Sequence, residues 1–242
     1  MTQPPEQIET DRLVLWRSSL LRNAMEKAGA CLVGFADLSR LDMPVTREYP
    51  IGICFALRHR DPAVDALPHD EAWLQMGSAL AAQAKEIYRT AEDRIASWGY
   101  RRRRITSSLP VEAMPGLREE LPQKTVATVA GLGWIGKSTL LVSPEHGPRL
   151  RLGTLLTNMR LPAATPSTQS RCGDCIACVK ACPAGAIAGK NWSPGIPRSE
   201  LLNAAACYDH LARTKNASGR VQTCGLCLKA CPIGTVKPGR SE

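Results

Sequence analysis

The chain has 242 residues and a mass of 26.2 kDa, which sets an expectation of one or two domains with room for a sizeable core. Apolar residues make up 44% and charged residues 22%, which excludes a collagen-like, low-complexity or largely disordered chain. The formal charge of +9 favours an acidic partner, either nucleic acid or an electron-transfer protein with an acidic face. No apolar run reaches the ~18 residues of a membrane span. Met1 to Asp11 is polar and acidic rather than a secretory signal, so the expected localisation is cytoplasmic, with no membrane partner.

In chain order, Leu13, Trp16, Leu20, Leu21, Ala24, Met25 and Ala28 recur at helical spacing, and Gly29 ends that helix. Ala30 to Ala36 and Ile51 to Leu57 are short apolar runs that read as strands. A long helix is predicted from Asp70, as N-cap, to Trp98, with Trp73, Met76, Leu80, Ala84, Ile87, Ala91 and Ile95 on one face and Gly99 as its stop. Two further strands are predicted at Thr139 to Val142 and Leu150 to Thr157. Leu161 to Ser170 is rich in Pro, Thr, Ala and Ser and reads as a linker. The fold class expected is an α/β (or α+β) N-terminal domain over residues 1–162 and a cysteine-rich domain over 163–242.

Ten cysteines are the informative feature, and eight of them lie between Cys172 and Cys231. Cys172, Cys175, Cys178, Cys182 and Pro183 satisfy C-x2-C-x2-C-x3-C-P, the run that holds [4Fe-4S] clusters in bacterial ferredoxins. Cys224, Cys227, Cys231 and Pro232 give a second, shorter run, and Cys207 can supply its missing member. In such runs the fourth cysteine ligates the other cluster. One set is therefore Cys172, Cys175, Cys178 and Cys231, and the other is Cys182, Cys207, Cys224 and Cys227. Zinc normally uses separate C-x2-C pairs, and this spacing does not fit it. Two such clusters with their thiolates would bring the net charge to about +5. Cys31 and Cys54 sit in apolar runs and read as core residues.

Gly131 to Ser138 satisfies both the phosphate-loop and the dinucleotide glycine patterns. Each needs a context that is missing. Leu150 to Leu161 contains no magnesium-binding Asp, and Gly147 to Gly173 contains no acid for a ribose. A tight structural turn and a loop for another cofactor remain, the latter with Lys137 and Ser138 as donors. Arg101 to Arg104 could meet phosphate, or could be a solvated strand or loop.

Ala130-Gly-Leu-Gly-Trp-Ile-Gly-Lys-Ser-Thr-Leu-Leu-Val142, then Leu152-Gly-Thr-Leu-Leu156, then the double-cluster cysteines resemble the epoxyqueuosine reductase family. The resemblance spans about Lys124 to Ile233. It implies a cobalamin held between an α/β domain and a ferredoxin-like double-cluster domain, as in reductive dehalogenases. It implies that the clusters pass single electrons to a base-off corrin, and that reduced cobalt acts on an epoxide of a modified tRNA nucleoside. Gly131, Gly133, Trp134, Gly136, Lys137, Ser138 and Gly153 become the cofactor-binding candidates. Where the family has an Asp-Ser-Ala-Pro-like proton donor, this chain reads Leu117-Arg-Glu-Glu-Leu-Pro122, which leaves Glu119 or Glu120 as the catalytic acid or as a solvated acidic turn. The family's C-terminal helical-repeat domain has no counterpart here, so the chain reads as a short relative whose substrate need not be tRNA. The expected partners are an external electron donor (ferredoxin, flavodoxin or reductase) and a small-molecule or modified-nucleoside substrate, with tRNA left open. The alternative is a non-catalytic ferredoxin-type electron carrier.

Overall fold

A computed structural model describes residues 5–68, 71–105, 121–214 and 224–235. In chain order the elements are α1 (Pro5–Lys27), β1 (Leu32–Asp37), α2 (Pro44–Glu48), β2 (Ile51–Arg58), α3 (Asp61–Asp65) and α4 (Glu71–Ser97). They continue with β3 (Arg102–Ile105), α5 (Gln123–Val129), β4 (Trp134–Ile135), β5 (Leu141–Val142) and β6 (Leu150–Thr157). Four short helices complete the chain: α6 (Ala177–Lys180), α7 (Arg198–Leu201), α8 (Ala204–Arg213) and α9 (Leu226–Lys229). The fold is mixed helix and sheet, and no helix among the described residues is long and apolar enough to cross a membrane.

The residues form two compact units that interleave along the chain. The first comprises Met1–Leu57, Ala81–Leu132 and Leu152–Pro166, and the second Arg58–Leu80, Gly133–Arg151 and Ser167–Glu242. Two segments upstream of residue 163 thus belong with the cysteine-rich region.

The first unit is built on a four-stranded sheet of order β1-β2-β6-β3. β1 and β2 run antiparallel, from Leu32 opposite Ala56 to Asp37 opposite Ile51. β2 is buried along its whole centre, which is why its sequence is a continuous apolar run rather than an alternation. β3 lies antiparallel to β6 with its three arginines exposed. The arginine run is thus a charged edge strand, a device that blocks further strand pairing. Arg104 pairs with Glu92 and sits over the Tyr88 ring, and Arg101 reaches Glu48 at 2.8 Å.

Helix α1 ends at the left-handed Gly29, as its sequence requires. Its buried line is Ser18, Leu21 and Met25, whereas Leu13 and Trp16 are 43% and 55% exposed. The apolar periodicity thus continues past the part of the helix that packs on the sheet. Helix α4 buries Met76, Leu80, Ala84, Ile87, Ala91 and Ile95 of the face read from its periodicity and leaves Trp73 half-buried. Its proposed cap, Asp70, lies outside the described residues. Cys54 is fully buried and its thiol is pushed up to about 12 by loss of solvent, which marks it as core. Cys31 is half-buried with its thiol on the Ala56 carbonyl.

In the second unit, β4 and β5 form a two-stranded hairpin pairing Trp134 with Val142 and Ile135 with Leu141. Val64, Leu67 and Leu228 form a small core beneath α3 and α9, with Trp73 and Leu140 packed against it. The remaining cysteine-bearing chain is mostly turns, and its helices are short except α8, which Asn203 caps by accepting from Ala206 N at 3.0 Å.

Candidate metal centre

The two cysteine runs fold alike. Cys178 is the second residue of α6 and Cys227 the second residue of α9, and Cys182 and Cys231 each follow their helix by two positions. The two helices contact each other. An equal spacing of thiols on two facing turns is what two cubanes exchanging one ligand each demand.

Mutual electrostatics sort the thiols into two groups. Burial raises the Cys178 thiol above its ordinary value, and its thiol neighbours Cys172, Cys231 and Cys175 raise it further. Cys231 is raised by burial, with Cys172 and Cys175 adding to it, while the Ile233 N–H and the Arg149 guanidinium oppose the rise. Cys227 is pushed up to about 12 by burial and then by Cys224, Cys207 and Cys182, with Cys178 the weakest contributor. Burial also raises Cys207, whose thiol neighbours are Cys182 and Cys224. The strongest thiol neighbours of each of these cysteines fall within the set of four proposed for it, and Cys178 also acts on Cys227 across the sets. Protonated thiols pressed together in this way are poised to bind a cation that converts them to thiolates. An all-cysteine donor set in the C-x2-C-x2-C-x3-C-P spacing fits cubane clusters.

The hairpin walls the first set. A cavity of about 170 Å³ is lined by Lys137 and Ser138 together with Cys172, Cys175, Cys178 and Cys231. The hairpin turn is closed by Gly136 N on Leu140 O at 2.9 Å and Thr139 N on Gly136 O at 2.8 Å, with Thr139 left-handed at φ 60°. A Cβ on Gly136 would meet Val142 Cγ2 at 2.7 Å and the Cys172 sulfur at 3.6 Å. Lys137 is 5% exposed, and its Nζ donates to the Gly173 carbonyl at 2.8 Å, inside the Cys172–Cys175 loop. Arg149 is 2% exposed, and its Nη1 donates to the carbonyls of Cys231 at 3.4 Å and Ile233 at 3.3 Å. Its Nε lies 3.2 Å from Asp61, which also takes Arg58 at 2.8 Å. Lys229 ties α9 to the Leu67 carbonyl at 3.0 Å. Segment 58–68 is therefore the scaffold of the second cysteine run.

The other candidates fall elsewhere. In the hairpin, Gly133 abuts the Val142 carbonyl, where a Cβ would come within 2.1 Å. Trp134 is buried, lies under the Arg171 guanidinium, and leaves its indole N–H without a partner. Gly131 and Gly153 belong to the first unit, against the Thr165 carbonyl and the Phe55 ring respectively. Glu119 and Glu120 lie outside the described residues. Arg149 and Asp61 escaped sequence reasoning, because a lone arginine beside an apolar strand carries no motif.

Residues 171–234 match the family described as the 4Fe-4S double cluster binding domain. The epoxyqueuosine reductase of Listeria monocytogenes is 33% identical over 135 residues, which are 50% of this chain and 33% of that protein. The chain thus spans about a third of that relative's length. A solved epoxyqueuosine reductase bound to a tRNA-Tyr epoxyqueuosine-modified stem loop aligns with a TM-score of 0.59 and 20% identity, covering 89% of this chain and 64% of that one. A reductive dehalogenase whose structure suggested a mechanism for B12-dependent dehalogenation aligns with a TM-score of 0.65 and 17% identity, covering 88% and 31%. At these identities the solved structures establish a shared fold. The curated matches make this chain a partial-length relative of the epoxyqueuosine reductases.

Proposed function

We propose that this relative of the epoxyqueuosine reductases carries two [4Fe-4S] clusters that deliver single electrons to a base-off cobalamin, and that it reduces a substrate with them. The observation that carries the reading is the contact between the two cysteine-bearing helices α6 and α9, with Cys172, Cys175, Cys178 and Cys231 lining one cavity beside the glycine hairpin. Cys172, Cys175, Cys178 and Cys231 would hold one cluster, and Cys182, Cys207, Cys224 and Cys227 the other. The clusters would supply one-electron transfer, and the cobalamin a low-valent cobalt for the reduction. The chain's own contributions are more specific. Lys137 and Arg149 hold the two ligand-bearing loops of the first set. The buried, unpartnered indole N–H of Trp134 is a donor suited to an amide carbonyl at a corrin's periphery. Glu119 and Glu120 are the proposed proton donors. An external ferredoxin, flavodoxin or reductase supplies the electrons. The substrate is proposed as an epoxide-bearing nucleoside or a small molecule, with tRNA as the macromolecular option that the basic charge supports.

A second reading, a non-catalytic electron carrier, is favoured by one observation. Protein atoms already fill the space that the glycines vacate, since Gly133 meets Val142 and Gly153 meets Phe55. One experiment separates the two. The chain is reconstituted anaerobically, mixed with cob(II)alamin, desalted, and analysed for iron and by EPR. About eight irons with a retained base-off cobalt signal near one per chain support the reductase. About eight irons with no cobalt support the carrier.

A further inference from the structure

Four consecutive residues of the first cysteine run, Gly173, Asp174, Cys175 and Ile176, are exposed to water, Ile176 at 42%. Cys172, Cys178 and Cys231 of the same set are half-buried. All four cysteines line one cavity, so Cys175 borders the site and meets solvent as well. The base of its loop is fixed. Lys137 Nζ and Asn191 Nδ2 both donate to the Gly173 carbonyl, at 2.8 and 3.2 Å, and Cys175 N donates to the Cys172 carbonyl at 3.1 Å. The matching place in the second run is covered. Cys224 stands three positions before Cys227, as Cys175 does before Cys178, and it is half-buried. The residue after it, Gly225, is packed so closely that a Cβ would lie 2.5 Å from Leu67 Cδ1. Each iron of a cubane is held by three sulfides and one thiolate. An iron leaves when water replaces its thiolate and carries the ion away, and thiolate reactivity follows exposure. The exposed corner is therefore the exit.

We propose that Cys175 holds an exchangeable iron, which a one-electron oxidant such as dioxygen or ferricyanide releases to leave a three-iron cluster on Cys172, Cys178 and Cys231. This rests on the two-cluster reading above. The [4Fe-4S]2+ core gives one electron to the oxidant and parts into [3Fe-4S]1+ and Fe2+. The bonds from the departing iron to the Cys175 sulfur and to three sulfides break, and water takes their place on the ion. All four sulfides stay in the remaining core. The freed Cys175 thiolate takes a proton from solvent. Cys175 thus marks an oxidation-sensitive site for a single ferrous ion, at one corner of one cluster.

The test uses the reconstituted full chain without substitution. It is treated anaerobically with one equivalent of ferricyanide, desalted, and divided for iron analysis, EPR and brief alkylation with iodoacetamide under native conditions. Peptide mass spectrometry then locates the alkylated cysteines. Iron should fall from about eight to about seven per chain, with the EPR signal of a three-iron cluster appearing. Cys175 should be alkylated roughly tenfold or more above each of the other seven cluster cysteines, as the one thiol freed. Cys31, half-buried and outside both sets, is the reference whose labelling the oxidant leaves unchanged. Alkylation centred on another cluster cysteine overturns the assignment. So does labelling spread evenly over Cys172, Cys175, Cys178 and Cys231, which reports loss of the whole cluster, and so does an iron content that the oxidant leaves intact. A chain that holds well under eight irons before any oxidant is added refutes the two-cluster reading instead, and the iron analysis of the untreated protein distinguishes that failure.

Discussion

Gly147 stands so close to Ile233 that a Cβ on it would lie 1.8 Å from the Ile233 carbonyl oxygen. Its backbone is also left-handed, at φ 54°. The strand-entry segment that carries Arg149 is thereby pressed against the segment that carries Cys231, two residues before Ile233. Gly147→Ala must push that segment away, and it also carries the ~1 kcal/mol penalty of a left-handed alanine. The expected outcome is selective loss of the Cys231-bearing cluster. Iron should fall from about eight to about four per chain, with one EPR signal left. Retention of the full iron content would show that this contact does not hold the ligand loop.

The double-cluster domain was legible in the sequence because cluster ligation fixes short, repeated cysteine spacings, and each thiol must be supplied by the chain. The long helix α4 was legible because its face is buried over six successive helical turns of apolar residues. Helix α1 was legible only in part, since periodicity reports an apolar stripe but not how far along the helix the sheet extends. The glycine loop shows a different limit. Its pattern matches three kinds of site, and spacing cannot tell a glycine that admits a ligand from one that admits Val142. Arg149 and Asp61 had no signal at all. Their partners are a carbonyl more than eighty residues away and each other, and such pairings exist only in the folded chain.

The Asp61 carboxylate offers a test of that buried group. It is 27% exposed and bridges Arg58 and the almost fully buried Arg149. Removing one partner of a buried ion pair costs roughly 3–5 kcal/mol because the remaining charge is stranded, and partial exposure of Asp61 reduces this to about 2–3 kcal/mol. Asp61→Ala should therefore lower the unfolding free energy, measured by urea titration, by that amount. Arg58→Ala, at a side chain 32% exposed, should cost much less. Equal costs for the two variants would argue against Arg149 as the stranded partner.

His59 predicts a pH dependence of stability. Burial, and secondarily the Arg151 charge, lowers its pKa to about 4 from 6.5. Its Nδ1 is buried without a partner, and its ring meets Trp73 edge-on at 4.9 Å. Between pH 4 and 6.5 the unfolded chain binds the proton and the folded chain does not, so stability rises with pH across that window. The contribution is complete above 6.5 and is lost as the pH falls towards 4. The shift corresponds to at most about 3 kcal/mol. His59→Phe, which keeps the ring contact, should flatten this part of the pH profile of the urea midpoint. An unchanged slope would place the effect on other groups.

Gly153 decides between packing and cofactor contact for one of the glycines. A Cβ there would fall 2.2 Å from the Phe55 ring, in the interior of the sheet. Phe55 cannot easily move, because it packs edge-on against Tyr88 at 5.0 Å, and Tyr88 accepts from Thr154 N at 2.8 Å. Overpacking of this kind costs roughly 1–3 kcal/mol. Gly153→Ala should therefore lower the thermal midpoint of the chain with no cobalamin present. Phe55→Leu should relieve part of that cost in the double variant, a coupling expected only between side chains in contact. If Gly153→Ala instead leaves stability intact and weakens only cobalamin retention, the glycine serves the ligand rather than the ring.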